Sequence, residues 1–144
     1  MLRFIRELAE YERLAHACVA TEESVRATLF GPDPAAEVLI AEDEGRAVGF
    51  ALFFRNYSTF LSRPGIYLED LYVPPEARGR GAGRALLQKI ARIAVERGAG
   101  RLEWAVLDWN EPAIGFYKAL GAVPMDDWTV YRLTGGALQR LAGG

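Results

Sequence analysis

The sequence is short of four things: cysteine, histidine, long apolar runs and net charge. Cys18 is the one cysteine, so no internal disulfide can form, which fits a reducing compartment. His16 is the one histidine and has no metal-ligand or nucleophile spacing around it. It reads as a surface residue or a favourable charge near a helix end, and no metal site is expected. The apolar runs are far too short to span a bilayer, and Met1-Leu2-Arg3 does not open a signal peptide. The expectation is a cytoplasmic protein away from membranes. A formal charge of −2 speaks against bulk nucleic-acid binding, which needs a strongly basic face, and supplies no broad field for steering a cation. What remains is an ordinary globular composition in 144 residues, enough for one domain with its own core.

The chain is organised around residues 66–87. Residues 66–73 are β-branched, aromatic and aliphatic and read as a strand, which Pro74 and Pro75 stop because neither can donate a ladder hydrogen bond. Arg78, Gly79, Arg80, Gly81, Ala82, Gly83 and Arg84 follow, then an amphipathic run with Leu86, Leu87, Ile90 and Ile93 at helical spacing. A strand, a glycine-rich turn with arginines and a helix start together make an anion site. The first helical N–H groups lack internal partners, the helix dipole favours negative charge there, and glycine lets a phosphate approach the main chain. Walker A is excluded, since no Gly-Lys-Ser/Thr follows the glycines. The dinucleotide fingerprint fails too, with Leu86 where a third glycine belongs. From these residues alone, a solvated basic helix start remains the alternative.

Elsewhere, residues 2–15 and 21–30 predict helices, the second capped by Thr21. Residues 37–42 and 47–57 predict a hairpin around Asp43-Glu44-Gly45-Arg46, and residues 58–65 a loop. The long helix is expected to end near Arg97, with Gly98 as its cap. Leu102, Trp104 and Val106 mark a strand, Asn110 can cap a helix over residues 111–120, and residues 128–133 predict a last strand. Residues 135–144 carry no clear assignment. The order is α-α-β-β-β-α-β-α-β, a mixed α+β fold.

The loop Arg78-Gly79-Arg80-Gly81-Ala82-Gly83 resembles the acetyl-CoA pyrophosphate loop of the GNAT acetyltransferases, Arg/Gln-x-x-Gly-x-Gly/Ala. The Y-L-E-D-L-Y-V strand before it and W-N-E-P-A-I-G-F-Y-K-A-L-G after it are similar, more narrowly, to the spermidine/spermine N-acetyltransferase branch. The resemblance covers nearly the whole chain. It implies a mixed, mostly antiparallel sheet with helices on both faces, acetyl-CoA as co-substrate, a small amine as acceptor and the homodimer usual in the family. The family's usual strand before the first helix has no counterpart here, so the neighbouring sheet edge is expected to be open or paired with another chain.

Acetyl transfer to an amine has a proton problem. A primary amine with a pKa near ~10.4 is almost wholly protonated at neutral pH and has no lone pair to attack with. A base must take that proton, and the leaving thiolate benefits from an acid. Glu69 is a candidate base, though one strand carboxylate is equally well a solvent-facing charge; the resemblance favours the base. Tyr117 is a candidate acid, and although a helical tyrosine more often packs, the family's general acid stands at this position. The resemblance also implies that main-chain groups near Leu71 and Val73 meet the pantetheine arm, together with Asn110. Regular alternation puts Tyr67, Glu69, Leu71 and Val73 on one face and Asp70 on the other. Glu69 and Asp70 then cannot line one cleft, and a diamine or lysine-like amino acid is expected at least as readily as a long polyamine. Two alternatives stay open: a catalytically weak acetyl-CoA-binding module, and a protein or peptide acetyltransferase.

Overall fold

The computed structural model describes residues 1–143, which form two compact units, one from Met1 to Leu107 and one from Asp108 onward. The first unit carries helices α1 (Leu2–Tyr11) and α2 (Glu22–Leu29), then strands β1 (Glu37–Asp43), β2 (Arg46–Ser58) and β3 (Arg63–Tyr72). Helix α3 (Ala82–Glu96) and strand β4 (Leu102–Trp104) complete it. The sheet order is β1-β2-β3-β4, antiparallel except for the parallel β3–β4 pair. The second unit holds α4 (Glu111–Ala119) and α5 (Gly135–Leu141). No helix among the described residues is long and apolar enough to cross a membrane.

Helix α1 is shorter than its apolar spacing predicts, for a local reason. Arg13 takes a left-handed φ of 61°, the Arg13 N–H bonds the Glu10 carbonyl at 3.0 Å, and the Leu14 N–H reaches back to Ala9 at 2.8 Å. This pair of bonds is the Schellman closure, formed here without glycine, and it leaves Glu12 as the C-cap residue. Thr21 caps α2 as expected, in a reciprocal box with Ser24. The β1–β2 turn has positive φ at Glu44 and Gly45, the twist that suits a two-residue hairpin.

Both faces of the sheet are covered. Phe4 of α1 packs with Phe50 and Tyr72, flanked by Met1, Ile5, Leu8, Val38 and Leu52. Burying a phenylalanine is worth roughly 1.5–3 kcal/mol, which makes Phe4 the main anchor of α1. The opposite face of β2 presents Gly49, Ala51 and Phe53, and a Cβ at Gly49 would stand 3.4 Å from Leu86 of α3. Leu86, Leu87, Ile90 and Ala94 form the buried side of α3, and Arg97 at its end makes a 2.7 Å fork to both oxygens of Glu37.

Four further expectations change. Residues 63–65, expected in a loop, open β3 instead. Strand β4 stops at Trp104, before Val106. Residues 128–133 form no strand: their alternation is strand-like, but a strand also needs a neighbour's ladder, and Trp128, Val130 and Tyr131 stand exposed. Residues 135–141 form α5, which the weak helix formers Gly135 and Gly136 in its first turn conceal. Gly144 lies outside the described residues. Among the described residues no strand precedes α1, and β1 stands at an edge of the sheet.

Candidate active site

The decisive local feature is a bulge in β3. Leu68 pairs with Phe53 and Asp70 with Leu52, so Glu69 is an extra residue that no β2 residue opposes. The bulge re-phases the strand. Tyr67 faces with Phe54, and its ring lies 5.4 Å from that ring; beyond the bulge Asp70 pairs with Leu52 and Tyr72 with Phe50, on the side that α1 covers. Leu71 pairs with Ala51 and moves to the α3 side. The alternation expected for a regular strand therefore fails at the point that matters. Asp70 joins the Tyr67 face, Leu71 and Val73 leave it, and Glu69 sits exposed at the switch.

A second consequence concerns β4. Its ladder with β3 covers only Ile66, Leu68 and the residue between them, paired with Leu102–Trp104. Residues 70–72 continue along β2 alone. The two parallel strands thus part next to Glu69.

The carboxylates near the bulge sense one another. Asp70 is partly buried, and its pKa is pushed up to about 6 by burial first, then by the charges of Glu69 and Glu12. Glu12 is raised by burial and by Glu69. Burial also raises Tyr67, with help from Glu69 and Glu103. The C-cap of α1 and the bulge of β3 therefore bring three carboxylates, Glu12, Glu69 and Asp70, within electrostatic reach of one another, an arrangement that favours a cation. Sequence reading missed Glu12. It stands 57 positions before Glu69, and nothing in a helix-end glutamate announces such a partner.

Past Tyr72, where β3 ends, the chain passes through a short 3₁₀ turn, Pro75–Ala77, into the glycine loop. Gly79 and Gly81 have φ of 83° and 84°, and nothing lies within 4 Å of a Cβ built on either. Backbone conformation, rather than crowding, calls for glycine there. Gly81 is the N-cap of α3, and the first turn, Ala82, Gly83 and Arg84, contains no acid to compete for its N–H groups. A Cβ on Gly83 would stand 3.7 Å from Val73, so the end of β3 lies against the loop. Arg84 is exposed, and Arg80 lies 3.7 Å from Asp43. Arg78 behaves differently: its Nε donates to the Val73 carbonyl at 2.9 Å, and its guanidinium lies over Tyr11 and Tyr72. An open, donor-rich helix start with two cations fits a pyrophosphate.

In the second unit, Tyr117 lies half-buried on α4 with its ring 5.7 Å from that of Phe116. Asn110 is buried at the N-cap position but makes no side-chain cap bond. Pro112 at the second helical position removes one of the two N–H groups such a side chain serves.

The GNAT acetyltransferase family model matches residues 5–122. The chain belongs to the GNAT family. It is 44% identical over 154 residues to the thialysine N-epsilon-acetyltransferase of Bos taurus, covering 99% of this chain and 90% of that one. It is 34% identical to an L-ornithine N5-acetyltransferase of Arabidopsis thaliana, over 96% of this chain and 81% of that one. A spermidine/spermine N(1)-acetyltransferase-like protein of Homo sapiens is 30% identical over 92% of this chain, which spans 20% of that protein. These relatives bear out the resemblance to the polyamine branch, and the chain is an acetyltransferase.

Proposed function

We propose that this acetyltransferase moves an acetyl group from acetyl-CoA to the side-chain amine of a lysine-like amino acid or short diamine. The observation that carries the reading is the Glu69 bulge, which sets Glu69 and Asp70 toward one face beside Glu12. The two carboxylates do share a face, against regular alternation, and with Glu12 they make one patch of negative charge. One such patch suits charges a few atoms apart, since attraction at about 4 Å in a partly buried site far exceeds that in water. Two of the relatives are named for thialysine and ornithine, which adds support.

The chemistry follows from the residues. The ammonium is held among Glu12, Glu69 and Asp70, and Glu69, the most exposed of β3's acids, takes its proton directly or through water. The free nitrogen attacks the thioester carbonyl and a C–N bond forms; as the C–S bond breaks, Tyr117 gives the departing thiolate its proton, and the proton that the new amide nitrogen sheds passes through water to restore the phenol. Arg80, Arg84 and the N–H groups after Gly81 hold the pyrophosphate, and main chain near Leu71 and Val73, together with Asn110, meets the pantetheine arm. The family match runs from residue 5 into the second compact unit as far as residue 122, which supports one acetyltransferase domain.

A panel assay of free-thiol release from acetyl-CoA tests this reading. L-lysine, ornithine and short diamines should each support turnover, and lysine-bearing peptides should support little. Turnover with peptides alone would make the protein a peptide acetyltransferase; tight acetyl-CoA binding without turnover on any amine would make it a binding module.

A further inference from the structure

We infer that Arg78 is a positioning residue for the acceptor site: it fixes the end of α1, and with it Glu12, against β3. The inference rests on the acceptor reading above and goes beyond it. The first arginine of a phosphate loop is expected to aim its charge at phosphate, yet this one is engaged elsewhere. Its Nε donates to the Val73 carbonyl at 2.9 Å, which anchors the guanidinium to the end of β3. The guanidinium carbon lies 5.3 Å from the centroid of Tyr11 and 6.0 Å from that of Tyr72. Both rings belong to the acceptor side. Tyr11 is the last residue of α1 and is followed directly by Glu12. Tyr72 stands two residues beyond Asp70, and its hydroxyl donates to Glu7 of α1 at 3.1 Å.

The surrounding contacts close a ring. Glu7 also accepts from Arg3 at 2.6 Å, and Arg3 reaches Glu76 at 3.0 Å, two residues before Arg78. Helix α1 is therefore tied to the 75–78 segment at two places, by Arg3 to Glu76 and by Tyr11 to Arg78. Of the two, only the second lies at the end of the helix that carries Glu12. The Schellman turn after Tyr11 stiffens the main chain there, so the position of the Tyr11 ring and the position of Glu12 are coupled through adjacent residues. A planar guanidinium suits the site: Nε bonds the carbonyl while the rigid plane fixes the charge over the rings, whereas a lysine ammonium is a point charge on a flexible stem that fixes neither geometry.

The test compares two acceptors, a short diamine and a monoamine of the same length. Only the diamine has a second charge for the cluster to hold, so the ratio of their kcat/KM values reads the cluster. In Arg78→Met the ratio should fall about fivefold, the size of a lost cation–π contact transmitted to one carboxylate, and the fall should lie in the diamine KM. Tyr11→Leu should give a similar fall, and the double variant no more than either alone, as for two ends of one contact. Arg78→Lys should fall with Arg78→Met, since charge is kept and the plane is lost. Acetyl-CoA affinity, measured by calorimetry, should change less than the ratio.

An Arg78→Met protein that binds acetyl-CoA about tenfold or more weaker with the ratio unchanged would make Arg78 a phosphate ligand and overturn the inference. So would additive single effects, or a lysine variant with the wild-type ratio. A wild-type protein that acetylates neither amine would overturn the acceptor reading itself. Wild-type preference for the diamine that survives in all three variants would overturn only the role given to Arg78.

Discussion

Replacing Tyr117 by phenylalanine is expected to lower kcat by about 10²–10⁴-fold, the usual worth of a general acid, with acetyl-CoA affinity little changed. The substitution keeps the ring, so the half-buried position on α4 and the contact with Phe116 survive. The hydroxyl is lost, and with it the proton for the leaving group. A thiolate leaving unaided must carry its full charge away, and the penalty appears in the chemical step rather than in binding. Steady-state rates with saturating amine, beside calorimetry with acetyl-CoA, separate the two. A phenylalanine variant with wild-type kcat would return Tyr117 to packing.

Glu69→Gln has the second-largest expected effect, a drop in kcat/KM of about 10²-fold or more at neutral pH. The amide cannot take the ammonium proton. As pH rises toward the amine's own value near ~10.4, more of it arrives already neutral, so the variant should recover part of its rate on the alkaline side. The acid side should move too. In the wild type, Asp70 protonates as pH falls through about 6, and the cluster loses a charge for the acceptor. Burial is the first cause of that raised value and Glu69 the second, so removing the Glu69 charge lets Asp70 stay ionised to lower pH. The acid limb of the variant's KM profile should therefore lie below that of the wild type. Parallel pH profiles would place the base elsewhere.

Much of the fold was legible because it is written in local chemistry. Thr21 capped its helix, Glu44-Gly45 turned its hairpin, and Gly79 and Gly81 took the left-handed backbone that a phosphate loop uses. What stayed hidden depends on pairs of distant segments. The bulge at Glu69 is a property of β2 and β3 together, and no proline or glycine in Y-L-E-D-L-Y-V marks it. Glu12 meets the Glu69 charge only once α1 packs on the sheet through Phe4. Arg78 looked like its neighbours Arg80 and Arg84 until Tyr11 and Tyr72 stood beneath it. Residues 128–133 show the converse error, a strand pattern taken for a strand without a ladder to join.

The most direct measurement sets one short amine against one long one in the same tube. With acetyl-CoA limiting, equal concentrations of L-lysine and spermidine compete for the wild-type protein, and the products are identified by mass and NMR. The negative patch at the bulge predicts acetyl-lysine as the main product, modified on the side-chain nitrogen, with one free thiol released per amide formed. Acetylspermidine exceeding it by orders of magnitude, or acetylation at the α-nitrogen of lysine, would contradict the account.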